Sequence, residues 1–252
     1  MTALVTGASS GIGRDIARKL AERGVRLIIT GRNREALEQL RDELGARRVR
    51  IIVADLRRRE ECFRLYHEVK QYNVNILINN AGFGDFGKFA ETELDKELDM
   101  IDVNITAMHI LMKLFLRDFR EKNCGYILNV ASSAGFMAGP YMATYYGTKN
   151  YVVRMTEAVC EELRSEGSHV YVGALCPGPV DTNFNNEAGV KFSLKGISSE
   201  YAAECAVNGM FARKVLIIPT LTMKAAVIGS SLVPPMFLTK ITRHIQSRKG
   251  ID

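Results

Sequence analysis

No two cysteines are spaced as CxxC and none clusters with histidine, so the sequence offers no metal site. The five cysteines, Cys62, Cys124, Cys160, Cys176 and Cys205, are odd in number and widely separated, which predicts reduced thiols in a cytoplasmic protein. Charge or proline interrupts every apolar stretch well short of the roughly 20 residues that cross a bilayer. The strand-like Ala3-Leu4-Val5 begins almost at Met1, where a signal peptide would need a basic region and an apolar run. Repeats, low-complexity tracts and Pro/Gly-rich linkers are missing too, which predicts one domain over residues 1–252. The net charge of +6 comes without aromatic interleaving or a nucleic-acid-binding motif. It is read as a solvated surface that excludes nucleic acid as a partner and favours an anionic cofactor or an acidic protein.

What is present is an alternation of short Val/Ile/Leu-rich runs with longer amphipathic stretches, the pattern of a parallel sheet covered by helices on both faces. Seven strands are predicted: Ala3–Thr6, Arg26–Thr30, Arg50–Ala54, Ile76–Asn79, Tyr126–Val130, Val170–Leu175 and Val215–Ile218. Helical periodicity covers Ile12–Arg23, Arg34–Leu44, a long stretch from about Leu94 to Arg120, and Thr144–Ser165. Gly24 is a candidate helix stop. The expected class is an α/β doubly wound, Rossmann-type single domain. An irregular stretch at about 182–200 is expected to form a lid, and about 220–250 exceeds what the sheet requires.

The first predicted strand runs into Gly7-Ala8-Ser9-Ser10-Gly11-Ile12-Gly13, a glycine-rich turn opening a helix. Backbone N–H groups and the helix dipole there can hold a pyrophosphate. Further along stand Asp55-Leu56, Asn80-Ala81-Gly82, Asn104, Ser132, Tyr145 with Lys149, and Pro177-Gly178 followed by Thr182. The GxxxGxG spacing and the order of these motifs over the first 220 residues or so resemble the short-chain dehydrogenase/reductase family.

At the end of the second strand Gly31-Arg32 replaces the acid that would bind the ribose hydroxyls of NAD. A guanidinium there can take a 2′-phosphate, so NADP(H) is expected, with Ser9, Ser10 and Asn33 completing the phosphate site. Tyr145 and Lys149, four apart on a helix, share a face, and the ammonium is expected to favour the phenolate. Spacing alone leaves Tyr146 open as a rival to Tyr145, and Ser133 as a rival to Ser132. The family pattern selects Tyr145 and Ser132.

The resemblance further implies that Asp55 meets the adenine and Asn80 to Gly82 the ribose side. Thr182 would hold the carboxamide, Lys149 the nicotinamide ribose, and Asn104 a proton-relay water. It also implies a homodimer or homotetramer formed through the long helices. The reaction expected is interconversion of a carbonyl and a secondary alcohol. Phe83, Phe86, Phe136, Met137, Met142, Phe184 and Phe192 on the loops point to a hydrophobic ketone, steroid or lipid-like substrate. The alternatives are a 3-oxoacyl thioester reductase serving an acidic acyl carrier, and a non-catalytic NADP-binding regulator. In the tail, Met236, Phe237, Leu238, Ile241 and Ile245 recur at helical spacing near Lys240, Arg243, His244 and Arg248. This basic amphipathic stretch can pack on the protein itself and close the substrate cavity, join a subunit interface, or make a weak membrane-surface contact.

Overall fold

The computed structural model describes residues 1–182 and 196–247. Strands β1 (Thr2–Thr6), β2 (Arg26–Gly31), β3 (Val49–Val53), β4 (Ile76–Asn79), β5 (Gly125–Val130), β6 (Val170–Leu175) and β9 (Leu216–Ile217) form one sheet in the order β3-β2-β1-β4-β5-β6-β9. Every neighbouring pair is parallel. A separate pair, β7 (Val180–Asp181) and β8 (Ile197–Ser198), brackets residues 183–195.

Both faces of the sheet are buried because alternate side chains pack against different helices. Leu4, Ile28, Leu77, Ile127 and Val172 point to the side covered by α3 (Arg59–Val69), α5 (Met108–Glu121) and α6 (Ala143–Ser165). Ala3, Val5, Ile29, Ile76 and Leu128 point to the side covered by α1 (Gly11–Glu22), α2 (Arg34–Leu44) and α7 (Ser199–Phe211). Each fully buried Leu or Ile stabilises the fold by about 1.5–3 kcal/mol. Gly24 ends the first helix as expected, with φ +75° and its N–H donating to the Ala21 carbonyl.

Three expectations need adjustment. The long helix is interrupted: α4 (Leu94–Ile101) passes through a π-helical turn at Asp102–Ala107 before α5, and that turn carries Asn104. The last strand is two residues long, as suits a sheet edge. The irregular stretch expected over about 182–200 is regular at its end, where Ile197–Ser198 is paired and the Ser198 hydroxyl caps α7 by accepting from the Tyr201 N–H at 3.1 Å. The rest of that stretch, with Phe184 and Phe192, lies outside the described residues. The chain closes with α8 (Leu221–Ser230) and α9 (Pro235–Ser247).

Candidate active site

The strand order reverses between β1 and β4, so the turns leaving these two strands part and open a crevice at their carboxyl ends. A cavity of about 460 Å³ fills it. Its walls include Gly7, Ser9, Ser10, Gly11, Ile12, Gly31 and Arg32 on one side. Asp55, Leu56, Asn80, Ala81, Gly82, Ser132, Tyr145, Lys149, Pro177, Gly178 and Thr182 also line it. A larger cleft of about 620 Å³ lies at the opposite, amino ends of β1 to β3, where Arg26, Arg47, Arg48 and Arg50 gather. None of the residues expected to do chemistry is there.

The glycine turn is held from below. The Thr6 hydroxyl accepts from the N–H groups of Asn80 and Ala81 at 2.9 and 3.0 Å, and the Asn80 amide donates to the carbonyls of Thr6 and Gly7. Gly7 has φ +64°, and a Cβ on it would stand 2.8 Å from the Cα of Ala81, so no larger residue fits. The Ser10 side chain makes no cap to α1, which leaves that helix terminus facing the cavity. Gly13 is not at the wall; it makes room for the Asn80 amide under the turn. Asn33 is also withdrawn from the expected phosphate site. Its side-chain oxygen accepts from the Ala36 N–H at 3.0 Å and caps α2, satisfying one of that helix's orphan donors.

Arg32 is exposed at the cavity edge and enters no ion pair among the described residues. Asp55 is tied by Arg57 at 2.6 Å, and Arg57 also reaches Asp99. That guanidinium holds the Asp55 carboxyl below its ordinary range.

The proton-handling groups meet beside β5. Ser132 caps the short helical turn after that strand by accepting from the Ala134 N–H at 3.1 Å, and its hydroxyl hydrogen-bonds the Tyr145 phenol. Lys149, buried one turn along α6, donates to the Val130 carbonyl at 2.9 Å and stands 5.8 Å from the centre of the Tyr145 ring. Burial pushes the Lys149 ammonium down to about 8. Burial also pushes the Tyr145 phenol up, and the Ser132 bond only partly reverses this. Burial, rather than the Lys149 ammonium, dominates the Tyr145 phenol in the protein alone.

The rival residues Tyr146 and Ser133 also line the cavity but make different bonds. Tyr146 receives a hydrogen bond from the Gln246 amide of α9, and the Ser133 N–H donates to the Pro177 carbonyl. Asn104 is buried outside the cavity wall. Its amide donates to the Phe83 carbonyl and the Thr148 hydroxyl and accepts from the Phe83 N–H, fixing the loop after β4 against α6.

Of the expected substrate residues, Phe83, Met137 and Met142 line the cavity. Phe86 packs behind it with Met142 and Tyr145, and Phe136 is drawn into the core beneath α6, under the Arg154 guanidinium. Met223, Ala226, Thr242, Ile245 and Gln246 complete the lining, so the tail closes the cavity, one of the places open to it from its sequence, and of these five only Ile245 belongs to its apolar repeat. The tail's helical period is the available signal, but it leaves open which side faces inward. Thr242 and Gln246 are buried, and Phe237, Ile241 and Ile245 are exposed.

Residues 1–192 match the family model for short chain dehydrogenases. The chain belongs to the short-chain dehydrogenase/reductase family. It is 34% identical to an uncharacterized oxidoreductase of Staphylococcus aureus over 182 residues, covering 71% of this chain and 78% of that one. A short-chain dehydrogenase from Sphingobium yanoikuyae in complex with NADPH superimposes with a TM-score of 0.83 at 29% identity, covering 92% and 93% of the two chains. The bulky-bulky ketone specific alcohol dehydrogenase from Comamonas testosteroni gives 0.79 at 26% identity, with 92% of each covered. This short-chain dehydrogenase is thus an oxidoreductase with the family's seven-stranded parallel sheet. No helix among its described residues is long and apolar enough to cross a membrane.

Proposed function

We propose that the protein is an NADP(H)-dependent reductase that interconverts a lipophilic ketone and its secondary alcohol. The observation that carries this reading is the Ser132–Tyr145 hydrogen bond beside buried Lys149, in a cavity that also holds Met137 and Met142. The chain's own residues support this cofactor: a Cβ would obstruct the Gly7 cradle, the α1 terminus faces the same space, and Arg32 at the cavity edge would meet a 2′-phosphate. Ser9 and Ser10 would share that phosphate, Asp55 and Leu56 would lie at the adenine, and Ala81, Gly82 and Lys149 at the ribose. Thr182, with Pro177 and Gly178, would hold the carboxamide. When bound, the reduced nicotinamide supplies the hydride that reaches the carbonyl carbon.

The chain's own part is proton handling and orientation. Ser132 donates to the carbonyl oxygen and fixes its direction. Tyr145, kept protonated by burial, gives its proton to the same oxygen as the alcohol forms. Lys149 stands behind Tyr145 to return the proton, and the Asn104 turn would hold the water that links Lys149 to solvent. The similarity to a bulky-ketone alcohol dehydrogenase and the apolar loop residues both support a large, hydrophobic ketone.

We also infer a homodimer or homotetramer, supported by the exposed Leu94 and Leu98 on α4. The five unpaired thiols suit a reducing, cytoplasmic setting. A panel of aryl ketones, steroids, fatty ketones and 3-oxoacyl thioesters, followed by NADPH absorbance with NADH in parallel, tests the reading. Turnover of lipophilic ketones with NADPH is expected. Turnover confined to thioesters would replace the substrate class, and NADPH binding with no turnover of any carbonyl would make the protein a regulator.

A further inference from the structure

Helix α9 is packed inside out, and α8 buries Val227 but leaves a second apolar side uncovered. On α9, Thr242 and Gln246 are buried while Phe237 (60% exposed), Ile241 and Ile245 form a stripe at four-residue spacing that faces solvent. On α8 and just beyond it, Leu221, Ile228 and Leu232 recur on one side and are likewise exposed, the first and last by more than 80%. A helix resting on a protein in water has its faces the other way round. Both helices are nevertheless anchored, because Met223 and Ala226 of α8 and Thr242 and Gln246 of α9 line the same cavity. Ile245 belongs both to the exposed stripe and to the cavity lining, so the apolar surface reaches the cavity's rim.

The charge carried by this part of the chain has one sign. No aspartate or glutamate occurs between Glu204 and Asp252, a stretch that carries Arg213, Lys214, Lys224, Lys240, Arg243, Arg248 and Lys249. Lys224 stands on the exposed side of α8 between Leu221 and Ile228, and Lys240 and His244 border the stripe of α9.

We propose that α8 and α9 seat the protein on an anionic lipid surface. The exposed apolar side chains would enter the boundary between headgroups and acyl chains, and the lysines and arginines would lie among the lipid phosphates. Neither helix can cross a bilayer, so the contact is a helical pair lying flat. A second copy of the chain is the poorer occupant. A two-fold contact sets a patch against itself, and the cations of these helices would then meet one another with no carboxylate on either helix. With Ile245 at the rim, the cavity opens toward the acyl region. Resting on the ketone-reductase reading, a lipophilic substrate would then enter from the bilayer.

The test is co-sedimentation of the full chain with vesicles of phosphatidylcholine alone and of phosphatidylcholine with one third phosphatidylglycerol, at low and high salt. Binding needs no turnover, so its outcome is separate from that of the reductase reading. Pelleting with the anionic vesicles, weakened by salt, is expected. Lys240→Gln should lower partitioning by roughly fivefold. Phe237→Glu with Ile241→Glu should abolish it while the melting temperature and NADPH titration stay unchanged. The proposal is overturned if the wild-type chain remains in the supernatant with anionic vesicles, or if the double variant pellets as the wild type does. A solution dimer that the double variant dissociates would show that the patch covers itself, and would overturn it equally.

Discussion

Along the wall built from β1, β4, β5 and α6, the chemistry-bearing groups are fixed by bonds to strand or loop backbone: Asn80 to Thr6 and Gly7, Lys149 to Val130, Ser132 to Ala134. Along the wall built from α8 and α9 there are far fewer such ties. Thr242 bonds its own helix, Gln246 bonds Tyr146, and the remaining lining is Met223, Ala226 and Ile245. The first wall holds its groups in place before any ligand arrives, as proton transfer requires. The second supplies shape and an entrance, and can vary without disturbing the first. Adjacent tyrosines face this division, Tyr145 bonded to Ser132 and Tyr146 to Gln246.

The largest effect should come from breaking the first wall at its proton donor. Tyr145→Phe keeps the ring and removes the hydroxyl, so turnover should fall by at least ~10² while a direct NADPH titration changes little. Tyr146→Phe should retain most of its turnover. Reversed phenotypes would mean that the two tyrosines have exchanged roles and that Ser132 is misassigned.

Lys149 tests the same wall through stability. Burial lowers its ammonium from the ordinary 10.5 to about 8. Below pH 8 the folded and unfolded chains both carry the charge, and the folded state bears the full cost of burying it. As pH rises from 8 toward 10.5 the folded lysine is already neutral while the unfolded one still binds its proton, so stability climbs through that window. Lys149→Met removes the cost together with the bond to Val130. It should raise stability at pH 7 by roughly 2 kcal/mol, the gain shrinking as pH approaches 10.5, even as turnover and cofactor affinity fall. Chemical denaturation at pH 7 and pH 10 measures this; a Met variant less stable than wild type at pH 7 would show that the Val130 bond outweighs burial.

Arg32, at the edge of the cofactor half, should have a narrower effect. Arg32→Ala should weaken NADPH by roughly tenfold to a hundredfold, the range of charge-assisted hydrogen bonds to a phosphate, and leave NADH unchanged. Adding Gly31→Asp should turn preference toward NADH, since a Cβ at Gly31 would stand 3.3 Å from the Ser9 hydroxyl, tight but within reach of a small shift. Fluorescence titration of both cofactors decides it; equal losses would remove Arg32 from the phosphate site.

The difference between the walls also explains what could be read from the sequence. Strand periodicity and the glycine turn are local, and together they specify β1, β4, β5 and the crevice between them. Four-residue spacing put Tyr145 and Lys149 on one face of α6. Asn33 is ambiguous in sequence because capping α2 and binding phosphate call for the same residue type, and the structure shows the capping bond to Ala36. Phe136 was misjudged because an aromatic on a loop can turn to the cavity or to the core, and it turned to the core. On α9 the period was legible and the direction was not. An apolar stripe carries no information about whether protein or something else covers it, and the buried side is marked only by Thr242 and Gln246, residues ordinarily read as solvent-facing.

The smallest expected effect lies at the join between the walls. Gln246 is 1% exposed; its amide donates to the Tyr146 hydroxyl, while its Oε1 is buried with no partner among the described residues. Gln246→Leu loses one hydrogen bond, about 0.5–1.5 kcal/mol, but also removes a buried acceptor whose desolvation costs about 1–3 kcal/mol. The two nearly cancel, so the melting temperature should change little or rise. Tyr146→Phe loses the same bond without that relief and strands the whole Gln246 amide in a buried position, so its melting temperature should fall by several degrees. Turnover should be only mildly affected in both, because neither touches the Ser132–Tyr145 bond. Thermal melts of the two variants beside wild type make the comparison. If Gln246→Leu melted lower than Tyr146→Phe, the Gln246 oxygen would have a partner that the packing of α9 conceals, and this wall would be tied down more firmly than its few bonds indicate.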